Sequence, residues 1–254
     1  MRSAEGLRRV GYRALIVSTP ADIILIGHGS GDALQLTLQA QGVLQRHGFA
    51  LAVGVSPRLE RVLASSKVDL EHLDERMLAV GDPADSLLVA ADAVLKQTEV
   101  ERPVVVLMPG NPLFLNSLSR LLVAEGAARE LTVQRIAGVS QLDLAINELG
   151  INVAARGLQV FDAAAVARGR TRPDPAIPAL LFRASDLLTN DHSPLEALHS
   201  LLRELYPDTH PVTLFNVDPA SDATSFATAT VADFAGFAEH LHDGSSLYVT
   251  RLRS

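Results

Sequence analysis

Residues 23–32 read Ile-Ile-Leu-Ile-Gly-His-Gly-Ser-Gly-Asp (IILIGHGSGD). An aliphatic run halts at Gly27, Gly29 and Gly31, with His28 and Ser30 between them and Asp32 at the close. The run has the length and content of a buried strand. The glycines after it permit either a sharp corner or a close approach of backbone to a ligand. The segments on either side decide between the two.

Working outward, Val104–Met108 is a second fully apolar, β-branched run, ending in Pro-Gly-Asn-Pro at 109–112. Leu131–Ile136 is a further strand candidate, ending in Ala-Gly-Val-Ser-Gln, and Phe49–Val55 is another short one. Helix-length segments separate them. In residues 34–48 the apolar Leu34, Leu38, Val43 and Leu44 recur near helical spacing, and Pro57–Ala64, Asp85–Lys96, Leu115–Ala128 and Leu142–Leu149 follow. Strands alternating with helices predict an α/β fold with a parallel-rich sheet. Beyond the Pro- and Arg-rich loop Arg168–Pro178, Ala179–Phe182, Val212–Val217 and Ser246–Arg251 read as strands and Pro194–Tyr206 as a helix. At 254 residues, two α/β lobes fit, 20–130 and 131–254.

Composition removes several classes. Hydrophobic residues are 48% of the chain, yet no apolar run approaches the ~18 residues of a membrane-spanning helix. The absence of cysteine excludes disulfides, thiolate nucleophiles and zinc–thiolate sites. A formal charge of −7 with scattered arginines argues against a nucleic-acid partner. Four arginines precede the patch Ala14–Val17, which is too short for a signal-peptide core, so a cytoplasmic location is expected.

Three strand ends therefore carry turn chemistry, at 27–32, 109–112 and 138–140, and ligands of open α/β sheets gather beyond such ends. The glycines at 27–32 fall as G-x-G-x-G rather than G-x-G-x-x-G, so a dinucleotide fingerprint does not fit. No G-K-[ST] follows, and Gly-Val-Ser-Gln-Leu is not a nucleophile elbow. His28 reads as a wall residue rather than a catalyst. His240 and His242 stand two apart, on different faces if helical, so no metal site is expected. Asp69, Glu71, Asp74 and Glu75 read as solvated surface, and Tyr206 as a helix-end packing residue.

In order along the chain, GHGSGD (27–32), GNPLF (110–114) and AGVSQLD (137–143) resemble the three turns of the tetrapyrrole methylase superfamily, and residues 35–45 resemble its leucine–threonine helix. The resemblance, from about Asp22 onward, implies two α/β lobes with a cleft for S-adenosylmethionine between them. It implies that Gly27, His28, Gly29, Gly31, Asp32, Met108, Gly110, Asn111, Pro112, Gly138 and Ser140 bind that cofactor. A second layer, NELGINVAARGLQVFDA (147–163), is similar to borosin-type peptide backbone α-N-methyltransferases, adding Gln159 and Ala163 to the cofactor set, and 173–182 and 205–215 fit the same template. Against that branch, residues 80–95 contain no Arg or Tyr, and Met108, Pro109 and Asn111 replace an aromatic and a histidine.

The resemblance thus implies a methyltransferase acting on a peptide or peptide-derived precursor, typically as a homodimer. The alternatives are a small-molecule or tetrapyrrole-type methylase, or a binding homologue without catalysis. Methyl transfer is a direct displacement, in which aligning acceptor and sulfonium supplies much of the rate.

Overall fold

The computed structural model describes residues 20–30, 33–80, 82–188, 193–218 and 223–252. The arginine-bearing N-terminal segment, Gly31 and Asp32 lie outside the described residues. In chain order the strands are β1 (Ile23–Gly27), β2 (Phe49–Ala52), β3 (Asp69–His72), β4 (Val104–Met108), β5 (Val133–Ile136), β6 (Gln159–Asp162), β7 (Ala179–Phe182), β8 (Pro211–Val217), β9 (Thr224–Thr230) and β10 (Ser245–Val249). The helices are α1 (Leu38–His47), α2 (Pro57–Ser65), α3 (Asp74–Leu78), α4 (Pro83–Val100), α5 (Ser117–Ala128), α6 (Gln141–Glu148), α7 (Val153–Arg156), α8 (Ala163–Ala167) and α9 (Ser193–Leu205).

The first sheet has the order β3-β2-β4-β1-β5 and is parallel throughout. Its central strands β1 and β4 are buried at every residue, as their unbroken aliphatic composition requires with helices on both faces. One face packs Ile23, Leu25, Val104 and Val106 against α4 and α5; the other packs Ile24, Ile26, Val105 and Leu107 against α1 and α2. The second sheet, β6-β7-β10-β8-β9, is mixed, with β6 parallel to β7 and the remaining pairs antiparallel. β5 pairs with β1, so the first sheet continues through Ile136, past the 130/131 boundary drawn from sequence.

Two expectations change and a third holds. The helix over 34–48 begins only at Leu38, because the Thr37 hydroxyl accepts from the Ala40 N–H and starts the helix there. Leu38 is then 86% exposed, and Ala40 and Leu44 form the buried face instead. The acidic stretch at 69–75 carries β3, whose residues are exposed or half-buried at the sheet edge, and the Asp74 carboxylate accepts the Gly54 N–H at 3.0 Å. Tyr206 does pack at a helix end: it is buried, its N–H donates to the Leu202 carbonyl, and its ring stacks on His210 at 4.6 Å.

Register aligns the carboxyl ends of the three central strands, with Gly27 opposite Met108 and Ile26 opposite Ile136. The loops leaving them therefore meet. A Cβ built on Gly27 would stand 2.1 Å from the Gly110 carbonyl oxygen and 2.8 Å from the Gly138 nitrogen. One on Gly138 would stand 2.4 Å from the same oxygen. No side chain fits in either place. Gly138→Ala and Gly27→Ala should each destabilise the fold by about 3 kcal/mol, the upper range for overpacking. Gly42 in α1 has no heavy atom within 4 Å of its Cβ position, so Gly42→Ala should stabilise by about 0.5–1 kcal/mol. Urea denaturation of the three variants reads the contrast directly.

Candidate functional site

Beyond the aligned strand ends lies a cavity of about 750 Å³. Its walls from the first half of the chain are Ser30, Val53, Met108, Pro109, Gly110 and the stretch Phe114–Leu118, with Met77, Leu78, Ser86 and Leu87 from α3 and α4. Gln141, Arg183 and Asp243 line it from the second half. The two sheets meet here through an apolar cluster in which Phe114 and Leu115 pack with Leu180, Phe182 and Phe215. The Phe114 and Phe182 rings contact edge to face at 5.0 Å, and the Gln141 amide donates to the Gly244 carbonyl.

Local chemistry explains how the loops hold their shape. Gly29 (φ +100°) and Gly110 (φ +64°) adopt left-handed backbone, and the Gly110 N–H donates to the Gly29 carbonyl at 2.8 Å. The Ser30 N–H donates to the Gln35 side-chain oxygen, and the Ser30 hydroxyl donates to the Val139 carbonyl at 3.2 Å, tying the first loop to the third. Asn111 closes its own turn, its side-chain oxygen accepting from the Leu113 N–H. Ser140 caps α6: its hydroxyl accepts from the Asp143 N–H, while the Asp143 carboxylate accepts from the Ser140 N–H at 2.7 Å. Asn116 caps α5 in the same way.

The predicted residues divide accordingly. Among the described ones, Met108 and Gly110 line the cavity. Gly27, Gly29, Gly138 and Ser140 belong to the contacts that fix its wall, and Pro112 is buried beside it in sequence. Gln159 and Ala163 are not brought to the cavity. The Gln159 amide donates to the Asp174 and Ile177 carbonyls and accepts from the Asp174 N–H, pinning the loop before β7. Ala163 is fully buried in the core between α8, α9 and the second sheet. His240 and His242 join no metal-binding group among the described residues.

Sequence reasoning passed over Arg183 and Asp243. Arg183 follows the buried strand Ala-Leu-Leu-Phe and is itself left-handed, φ +56°. Its guanidinium bonds to the Asp162 carboxylate and stands 3.4 Å from that of Asp186, while its Nε is buried without a partner. The signal that could have found it is a charged residue at the carboxyl end of an apolar strand.

His28 is 8% exposed, and its Nε2 stands 3.3 Å from the Val53 carbonyl. A carbonyl only accepts, so Nε2 carries the proton and holds the Val53 backbone, which lines the cavity. Burial, outweighing the Val53 carbonyl and more distant Asp74, holds the imidazole below its ordinary 6.5. The folded chain then keeps His28 neutral while the unfolded chain takes up a proton as pH falls through 6.5, so stability declines on acidification. Between pH 7 and 5 the wild-type melting temperature should fall further than that of His28→Gln. Parallel declines would show that His28 does not titrate differently in the two states.

A sequence model of the family described as Tetrapyrrole (Corrin/Porphyrin) Methylases matches residues 22–217. No curated protein gives a significant match to the chain. Among solved structures, uroporphyrin-III C-methyltransferase from Thermus thermophilus is similar, with 20% identity, TM-score 0.65, and 90% of this chain and 91% of that one covered. The same enzyme complexed with S-adenyl homocysteine superimposes at TM-score 0.61, with 18% identity over 91% and 97% of the two chains. Cobalt precorrin-4 methyltransferase, a cobalamin biosynthetic enzyme, gives 0.64 with 14% identity over 90% and 94%. At such identities the likeness is one of fold. With most of its length matched by the family's own sequence pattern, and with three glycine turns converging on one cavity, the chain belongs to the tetrapyrrole (corrin/porphyrin) methylase family.

Proposed function

We propose that the chain transfers the methyl group of S-adenosylmethionine to a small-molecule acceptor, with the donor in the 750 Å³ cavity at the ends of β1 and β4. Methyltransferase chemistry and the cofactor follow from the family; the acceptor class and the donor's position are the proposal. The observation that carries the position is the meeting of Gly27, Gly110 and Gly138 beside it, which fixes the Gly110 backbone in the cavity wall. The lining suits the donor's chemistry: Met108, Pro109, Phe114 and Leu115 offer apolar surface for a flat base and the aliphatic arms of the sulfonium. Ser30, Asn116 and Gln141 offer polar groups. When bound, the donor supplies an electrophilic methyl group on a sulfonium. The protein's own residues orient the partners and exclude water.

A small-molecule acceptor is supported by the cavity's size, within the usual range of ligand pockets. Structures of tetrapyrrole methyltransferases also match over some nine-tenths of the chain. The run 147–163, whose likeness to peptide methylases suggested a peptide acceptor, is accounted for by folding roles: Gln159 pins a loop, and Asp162 caps α8 and pairs with Arg183. No feature of the cavity favours a peptide. A homodimer would bury exposed apolar side chains such as Leu38, Leu78, Leu88 and Phe226. No described helix is long and apolar enough to cross a membrane.

Ser117 lines the cavity from the first turn of α5 and is half-buried, so a larger side chain there fills the cavity with little disturbance to the core. In isothermal titration, S-adenosylhomocysteine should bind the wild type, and Ser117→Trp should bind it at least about tenfold more weakly. Unchanged affinity in a folded variant would move the donor away from this cavity.

A further inference from the structure

The charges around the cavity do not suit the polycarboxylate that uroporphyrin is. Arg183 is the one cationic side chain among the described residues that line it. That guanidinium is already committed: it bonds to Asp162, lies 3.4 Å from Asp186, and rests on the cavity wall between them. A third carboxylate, Asp243, lines the same cavity. Counting Arg168, which also acts on Asp186, two positive groups face three negative ones in this cluster, a local balance of −1. Burial foremost, and Asp162 and Asp243 in addition, push the Asp186 carboxyl up, while Arg183 and Arg168 oppose them. The remaining lining is neutral: aliphatic or sulfur side chains at Val53, Met77, Leu78, Leu87, Met108 and Leu118, with serines at the margins.

From this arrangement we infer that the methyl acceptor is an apolar molecule, neutral or cationic, and not a polycarboxylate. The inference rests on the reading of the cavity as the methyltransfer site. An anionic acceptor entering this cavity would meet uncompensated carboxylates and would have to displace Asp162 or Asp186 from Arg183. A cationic one would meet the same field as attraction, and its apolar body would cover the leucines and methionines. Asp243 is then a specificity-determining residue: it repels carboxylate-bearing acceptors, as a repulsive element against the wrong ligand does.

The test uses the full chain saturated with S-adenosylhomocysteine and three naphthalene probes of one shape: 2-naphthylmethylammonium, 2-naphthalenemethanol and naphthalene-2-carboxylate. Uroporphyrin is titrated alongside by its fluorescence. One unit charge at contact distance, even with water-like screening, is worth about fivefold in affinity. The ammonium and the alcohol should therefore each bind at least about fivefold more tightly than the carboxylate, and uroporphyrin no more tightly than the carboxylate. Added salt should shrink the gap between the charged probes. Asp243 is exposed, so Asp243→Lys should fold, and it should narrow or invert that gap. Tighter or equal binding of the carboxylate, saturable uroporphyrin binding tighter than the carboxylate, the same gap in Asp243→Lys, or no binding of any naphthalene would each overturn the inference. Failure of the methyltransfer reading shows separately, as the loss of the S-adenosylhomocysteine isotherm itself.

Discussion

Everything in the first half of this molecule depends on three backbones meeting where no Cβ fits. Parallel strands in register deliver Gly27, Gly110 and Gly138 to one edge of the sheet, within 2.1–2.8 Å of where side chains would begin. Glycine in such a loop is usually explained by the ligand, which needs backbone groups close at hand. Here the packing of loop on loop already requires it. The two explanations join at Gly110, whose backbone lies in the cavity wall among the side chains of Ser30, Met108 and Pro109. Fine selectivity then falls to the side chains around that wall, among them Met108, Leu115, Arg183 and Asp243.

This division decides what was legible in the sequence. β1 and β4 could be read because burial on both faces leaves an uninterrupted aliphatic run, and their glycine turns stood at the ends of those runs. The start of α6 after the Ser140 cap lies within one residue of the expected Leu142, whereas α5, expected from Leu115, begins only after the Asn116 cap. β3 and β9 could not be read. Asp69–His72 is an edge strand without one fully buried residue, and in Thr224–Thr230 the first five residues are exposed, so neither shows the period of a core face. The helix pattern around Leu34 and Leu38 misled for a related reason. Periodicity cannot tell an apolar residue on the core face from one left outside by a cap at Thr37.

The site was legible only as far as backbone geometry reached. The turns at 27–32, 109–112 and 138–140 announced themselves through Gly, Pro and Asn. Arg183 and Asp243 are brought to the same cavity by a second sheet, from positions more than forty residues beyond the last of those turns, and only the tertiary fold relates them. The reverse also holds. Gln159 and Ala163, expected in the cofactor set, lie away from the cavity lining: Gln159 orders the loop before β7 and Ala163 is buried in the core. Motif likeness can thus preserve a fold's internal bonds as readily as its chemistry.

Arg183 shows how that tertiary control operates. A left-handed conformation at a non-glycine residue costs about 1–2 kcal/mol. Its ion pairs, with the side chain 40% exposed, return about 0–1 kcal/mol at most. The electrostatic gain is therefore too small to impose the conformation. What does impose it is the pair of neighbours: Phe182 and Ala184 are both fully buried, on opposite sides of Arg183, the first packed toward Phe114 and the second in the core beneath α9. With both anchored, the chain between them has one way to pass, and the guanidinium is delivered to the cavity edge whatever its partners. Asp186 then orients it rather than holds the fold, whereas Asp162 orients it and also caps α8. Removing the Asp186 carboxylate should consequently alter ligand binding before it alters stability, the opposite of what loss of a core contact does.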